Sequence, residues 1–350
     1  MVIMNIFPKF SNIQTPALLL VAIVMQCGIT GFSHASKTSG DPAYEAFDKG
    51  HFLLAIKEAK KAAERGEPQA FTLLGRIYSD GLGVAQNYQQ AASWYQKGAG
   101  KGDVDSQFAL AVLLAKGRGI EQNYQLAADL FQQAAKQGHA EAQYNLALIY
   151  AEGLGRKPSI KRAIYYMQLA AKGGNVRAQY DLGTFFALGR GVQKNQKTAV
   201  EWTKKAADAG LAEAQLEYAV MLVKGLHLPE KEKMIFDIIK KPREILSDNE
   251  KALLEKSKAL REEIDRVAAK YLHAAAIKGN PVAQNRLARF YLYGFGVGRN
   301  VVQASKWHLI ARDNGVSDAK LDIALNRLSK DERSEVDQAV LSFQDSQLLQ

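Results

Sequence analysis

Residues 142–155 read AQYNLALIYAEGLG, and the spacing inside this stretch decides the fold. Ala142, Leu146, Ala147 and Tyr150 fall at i, i+4, i+5 and i+8, one face of an α-helix. Gly153 stands where that helix should stop, and glycine is the residue that tolerates the left-handed conformation just past a helix end. A second helix needs an N-cap, and Ser159 supplies one a few residues on.

The same stretch returns every 36 residues. The G-x-G pair occurs at Gly81/Gly83, Gly117/Gly119, Gly153/Gly155 and Gly189/Gly191, with Gly225 on schedule. Gly294/Gly296 then comes late by 33 residues, so one repeat carries an insertion of that length. A second glycine series, Gly66, Gly102, Gly138, Gly174, Gly210, Gly279 and Gly315, shows the same offset. Small residues hold a third register, Gly75, Ala111, Ala147, Gly183, Ala219 and Ala288, where paired helices should approach closely. Asn87, Asn123, Ser159, Asn195 and Asn300 hold the cap register. Trp94, Trp202 and Trp307 share one register of the second helix with Leu130, Tyr166 and Tyr271, as core-packing positions do.

These registers predict an all-α protein: a right-handed α-solenoid of antiparallel helix pairs, six 36-residue repeats capped at both ends, with one 33-residue insertion. The run A-x-x-x-L-G/A-x-x-Y/F-x-x-G-x-G, followed by N, A-x-x-W/Y and A-A-x-x-G, resembles the Sel-one-like repeat family of tetratricopeptide-like proteins. Ala142–Ala147 and Ala178–Gly183 carry it most clearly. The resemblance spans residues 69–315. It implies an adaptor that binds proteins, with relatives working in envelope complexes, polysaccharide secretion, periplasmic signalling, cell-wall enzyme partnerships and bacterium–host contact. Cysteine-rich relatives are connected with β-lactam compounds, but this chain lacks their paired cysteines.

Residues 36–68 read as an N-terminal capping helix pair and 316–350 as closing helices, with Ser329 and Glu332 forming a capping box. The insertion, about 228–262, begins after His227. Leu228 to Lys241 reads as a loop with a short apolar stretch that Pro242 ends. Ser247 and Glu250 form a second capping box, and nothing breaks a helix from Asp248 to about Lys278. Ile235, Phe236, Ile239, Leu253 and Leu260 are its candidate surface. Two readings of them stand: packing on neighbouring helices, or a surface for a partner or for self-association.

Residues 1–35 carry one charge, Lys9, then the apolar run Ala17–Met25 and small residues at Ser33 and Ala35. This is the pattern of a secretory signal peptide cut after Ala35, which places the protein in the periplasm or outside the cell. Cleavage removes Cys27, the single cysteine, and so excludes a catalytic thiolate or a disulfide scaffold. The net charge, +10 for the full chain, is spread among acidic residues and forms no basic block, against a nucleic-acid partner. G-x-S-x-G, H-E-x-x-H and C-x-x-C are missing, so no catalytic, cofactor-binding or metal-binding set is assigned.

Binding is expected on the concave face, lined by the first helix of each pair. Its rows contain Arg76, Val112, Asn145, Leu148, Asp181, Thr184, Glu217, Val220, Arg286 and Arg289. Apolar residues in mid-row with arginines at both ends suit an extended peptide or a partner helix. The reading is an exported, non-enzymatic scaffold for a protein or peptide, in a membrane-associated complex or free. A secreted effector acting on host proteins and a cell-wall or β-lactam hydrolase are the alternatives.

Overall fold

The computed structural model describes residues 41–238 and 247–348. The expected leader, Cys27 and Ile239 lie outside the described residues. Among the described residues, the protein has seventeen helices and no strand. Two compact units are distinguished, ending and beginning at Ala178 and Gln179.

The first unit holds α1 (Pro42–Asp48), α2 (Phe52–Glu64), α3 (Pro68–Asp80), α4 (Tyr88–Gly100), α5 (Val104–Lys116), α6 (Tyr124–Lys136), α7 (Ala140–Glu152), α8 (Ile160–Lys172) and the start of α9 (Val176–Leu188). Each helix from α1 to α7 packs on the next, and α3 also meets α5. The stops and starts are those the glycines and caps dictate. Gly81, Gly117 and Gly153 end α3, α5 and α7 in the left-handed conformation. Asn87, Asn123 and Ser159 accept hydrogen bonds from the amides of Gln90, Leu126 and Arg162. Their own amides close the turn by donating to the carbonyls of Tyr78, Leu114 and Tyr150. Gln143 Nε2 donates to the Ala135 carbonyl, satisfying an acceptor that the end of α6 leaves open (3.1 Å).

Two contacts explain the remaining glycines. A Cβ on Gly75 would lie 2.4 Å from the fully buried ring of Tyr95, so α3 and α4 touch where no larger residue fits. A Cβ on Gly155 would lie 2.4 Å from the Gln125 amide nitrogen, and one on Gly119 would lie 2.3 Å from the Tyr88 carbonyl carbon, so these two turns lie against the start of the preceding second helix.

The second unit contains α10 (Gln196–Asp208), α11 (Ala212–Val223), α12 (Glu230–Ile238), α13 (Asp248–Ile277), α14 (Pro281–Tyr293), α15 (Val301–Asp313), α16 (Ala319–Asn326) and α17 (Lys330–Leu348). The same rules operate here: Asn195 and Asn300 cap α10 and α15, and Gly294 ends α14. Ser247 and Glu250 make the reciprocal capping box of α13. α11 packs on α13, which packs on α14, while α16 and α17 both pack on α15.

The inserted segment departs from the sequence expectation. Residues 228–241 were expected as a loop, but Glu230–Ile238 is helical, opened by a bond from the Lys233 amide to the Pro229 carbonyl (2.8 Å). Phe236 is completely buried, against Gly225 and under the Arg261 guanidinium, 5.2 Å from the ring centre. Arg261 also donates to the Val223 carbonyl (3.3 Å) and to the Asp265 carboxylate (2.9 Å). One side chain thus ties the end of α11, the inserted α12 and the middle of α13 together. Phe236 as a partner-binding residue is corrected: the apolar face of α12 turns inward because burial against α13 removes it from water.

Candidate functional site

The expected binding row is largely absorbed by the fold. In the first unit Val112 and Leu148 are 5% and 1% exposed, and Asn145 is buried with its amide donating to the Glu141 carbonyl (2.8 Å). Arg76 lies over the Phe47 ring (4.9 Å) and faces the Asp80 carboxylate (3.7 Å). In the second unit Val220 is buried as well. The accessibility expected of Val112, Asn145, Leu148 and Val220 is therefore overturned. Ser106–Ala115 and Ala142–Tyr150 are buried without a break, because these helices are apolar around most of their circumference.

The charged members of the row answer one another inside the second unit. Arg289 pairs with the Asp318 carboxylate. Arg286 is largely covered, and burial lowers its pKa to about 10 while the charge of Glu217 works the other way. Burial raises the Tyr180 hydroxyl, and the charges of Glu217 and Asp181 add to the shift, so it stays protonated. The Thr184 hydroxyl donates to the Tyr180 carbonyl (3.2 Å). Glu217 and Arg289 both act on the charge of Arg286, in opposite directions; Arg76 and Val112 belong to the other unit. Within the insertion, Leu253 and Ile235 stay partly open, Leu260 is half-buried and Phe236 is closed.

The open chemistry lies elsewhere. A cleft of about 440 Å³ is lined by Gln132, Tyr150, Arg156, Arg162, Tyr165 and Tyr166. Tyr150 and Tyr166 stack nearly parallel, 5.8 Å between centres, and Tyr165 meets Tyr166 edge-on at 5.1 Å. The Arg162 guanidinium sits 5.3 Å over the Tyr150 ring and donates to its hydroxyl (3.4 Å). Arg156 pairs with Asp129. Burial, helped by the two neighbouring tyrosines, raises the Tyr166 hydroxyl above its ordinary value. Tyr165 is 57% exposed. These groups stack, donate and attract anions, which is recognition chemistry.

Sequence reasoning overlooked this cleft although a signal was present. The Tyr165-Tyr166 doublet places one ring on the core register and leaves the other without a packing reason. A second cleft, about 360 Å³, is lined by Leu292, Tyr293, Arg299, Lys320, Ile323, Ala324 and Arg327. Two buried histidines meet carboxylates: His308 Nε2 lies 2.8 Å from Asp322 beneath α16, and His139 lies 3.5 Å from Asp105 and 3.4 Å from Glu141. Among the described residues no His, Cys, Asp or Glu cluster is placed to hold a metal, and no helix is long and apolar enough to cross a membrane.

The repeat geometry now has a counterpart among known proteins. The Sel1 repeat family model matches residues 69–103, 104–139, 140–175, 176–211 and 281–316, over half of the chain. The chain belongs to the Sel1 repeat family. Residues 212–280, which carry the insertion, fall outside the matched segments of this Sel1 array. Among solved structures, a Sel1 repeat protein from Oxalobacter formigenes is 26% identical. The match covers 78% of this chain and 98% of that one, with a TM-score of 0.58. A protective antigen of uropathogenic Escherichia coli strains, c5321, which displays the same repeat fold, is also 26% identical. There the match covers 87% of this chain and 67% of that one, with a TM-score of 0.50. No curated protein matches the chain. Sel1 repeat proteins are in general non-enzymatic scaffolds for protein–protein interaction.

Proposed function

We propose that the protein is an exported, non-enzymatic scaffold of the bacterial envelope that holds a protein or peptide partner. The observation that carries the reading is the tyrosine–arginine cleft at Tyr150, Arg162, Tyr165 and Tyr166. It is an open surface, built on a Sel1 repeat, in which the Tyr165 ring leaves more than half of its area to solvent. Exposed aromatic and guanidinium groups of this kind dominate binding energy at protein interfaces. Export is supported by the leader-like pattern of residues 1–35.

Two measurements test the proposal. N-terminal sequencing of the protein isolated from the envelope should begin at Ser36; an intact Met1 on all of it removes the exported reading. A photo-crosslinking residue at Tyr165 should capture a protein that the same residue at exposed Glu201 does not, and Arg162→Ala should reduce that capture about tenfold. Equal capture at both positions removes the cleft from the reading.

A further inference from the structure

The second cleft is a different kind of surface. It lies where α16 begins a further helix pair that α17 does not complete in the pattern of the earlier repeats. Lys320, Ile323 and Arg327 fall at i, i+3 and i+7, one face of that helix and its C-cap. Leu321 is buried on the other side. Arg299 enters from the turn after α14, and Leu292 and Tyr293 come from the end of α14. Ile323 is 52% exposed and Tyr293 is also open, so the apolar floor meets water.

The charges around that floor are of one sign. Among the described residues, none of Arg299, Lys320 and Arg327 forms an ion pair. The acids closest along α16 are already engaged: Asp318 with Arg289, and Asp322 with His308 and Arg312. Three free cations around an apolar floor are complementary to a chain that carries carboxylates on either side of an apolar side chain. A volume of about 360 Å³ accepts one or two such side chains, not a folded domain.

We infer that this cleft is a docking site for an acidic peptide segment of a partner protein, with an apolar anchor against Leu292, Tyr293 and Ile323 and flanking carboxylates on Arg299, Lys320 and Arg327. The inference rests on the scaffold reading and names the chemistry of one partner segment. The apolar floor between the cations favours a peptide with an apolar anchor over nucleic acid or an anionic membrane, whose attraction to such a site is mainly electrostatic.

The test uses the chain from Ser36 to Gln350 and a fluorescent peptide with a central leucine–phenylalanine pair flanked by two glutamates on each side. Binding is followed by anisotropy at low salt, and it should weaken as salt rises. Replacing the apolar pair by two serines should weaken it about tenfold, as should Ile323→Ser, an exposed change that leaves helicity intact. The triple variant Arg299→Ala, Lys320→Ala, Arg327→Ala should abolish it. The variant Lys101→Ala, Lys136→Ala, Lys172→Ala removes the same charge elsewhere and should leave it unchanged. Equal loss in both triple variants, indifference to the apolar pair, or tighter binding of a single-stranded oligonucleotide or of phosphatidylglycerol vesicles overturns the inference. No peptide binding, together with intact crosslinking at Tyr165, overturns this docking site and leaves the scaffold reading standing.

Discussion

Gly296 and Asp265 meet backbone to backbone: a Cβ on Gly296 would lie 2.2 Å from the Asp265 carbonyl carbon. Gly119 stands in the same relation to Tyr88, and Gly155 to Tyr124, where the partner is the first residue of a second helix. Asp265 is therefore the place where a second helix would start without the insertion. The residues of α13 before it, Asp248 to Ile264, are an added extension of roughly 25 Å at 1.5 Å per residue.

That contact predicts a graded response to alanine. Gly138 has a positive φ but open space around it, so Gly138→Ala should cost about 1 kcal/mol for the left-handed backbone alone. Gly296→Ala adds a collision with main chain that cannot rotate away, and about 3 kcal/mol is expected. Gly298 has neither feature, and Gly298→Ala should be close to neutral. Urea midpoints of the three variants, followed by circular dichroism, give the order; equal midpoints for Gly138→Ala and Gly296→Ala would remove the backbone contact from the account.

Much of this was legible in the chain because a repeat states each rule several times. The glycine, cap and small-residue registers each have one local physical cause, and the structure places each where that cause requires. The binding row was misread at Val112, Leu148 and Val220 because a stripe drawn from one helix pair assumes a single buried face. Burial on the other faces depends on neighbours that one repeat does not contain. The helix at Glu230–Ile238 was missed because it is short and lacks an N-cap signal, and its apolar face is earned only by packing near Arg261. The tyrosine–arginine cleft draws on Gln132, Tyr150 and Tyr165 from three different helices, a grouping that linear spacing does not reveal.

The close approach at Gly75 gives a second prediction. An alanine there must displace the buried Tyr95 ring, and overpacking of this kind costs about 2 kcal/mol. Tyr95→Leu alone leaves a void and also destabilises. Combined, the added methyl fills space that the lost ring vacates, so the double variant should be more stable than the sum of the two costs by about 1 kcal/mol. Strict additivity in that cycle would show that α3 and α4 do not meet through these residues.

Deleting residues 229–261 restores the 36-residue spacing and keeps Ile264 and Asp265, so the product should remain folded and helical. It should not match the full chain in stability, because Phe236 and Arg261 leave with the deleted segment. Phe236→Ala in the intact chain should release α12 locally. The expected result is faster proteolysis between Pro229 and Ser247 with helicity elsewhere unchanged, in line with an opening confined to one element. Global unfolding of Phe236→Ala at 25 °C would make the insertion a structural core rather than an addition to one.

Asp208 offers a pH test with a defined sign. Burial pushes its carboxyl up, but hydrogen bonds from Lys204 and from the Tyr271 hydroxyl (2.5 Å) outweigh this and leave it below the usual range. Burial, and the bond to Asp208, raise Tyr271, which therefore remains a donor through neutral pH. A lowered carboxylate contributes stability that is present above its unfolded pKa and lost as pH falls through its folded value. The group is well exposed, so screening limits the contribution to about 0.5 kcal/mol. Tyr271→Phe should then lower the thermal midpoint slightly at pH 7 and by less at each step down from pH 5 to pH 3, as the carboxyl takes up its proton in both proteins. A deficit that stays constant over that range would assign the loss to packing against Tyr218, whose ring meets Tyr271 edge-on at 4.9 Å, instead of to the charge on Asp208.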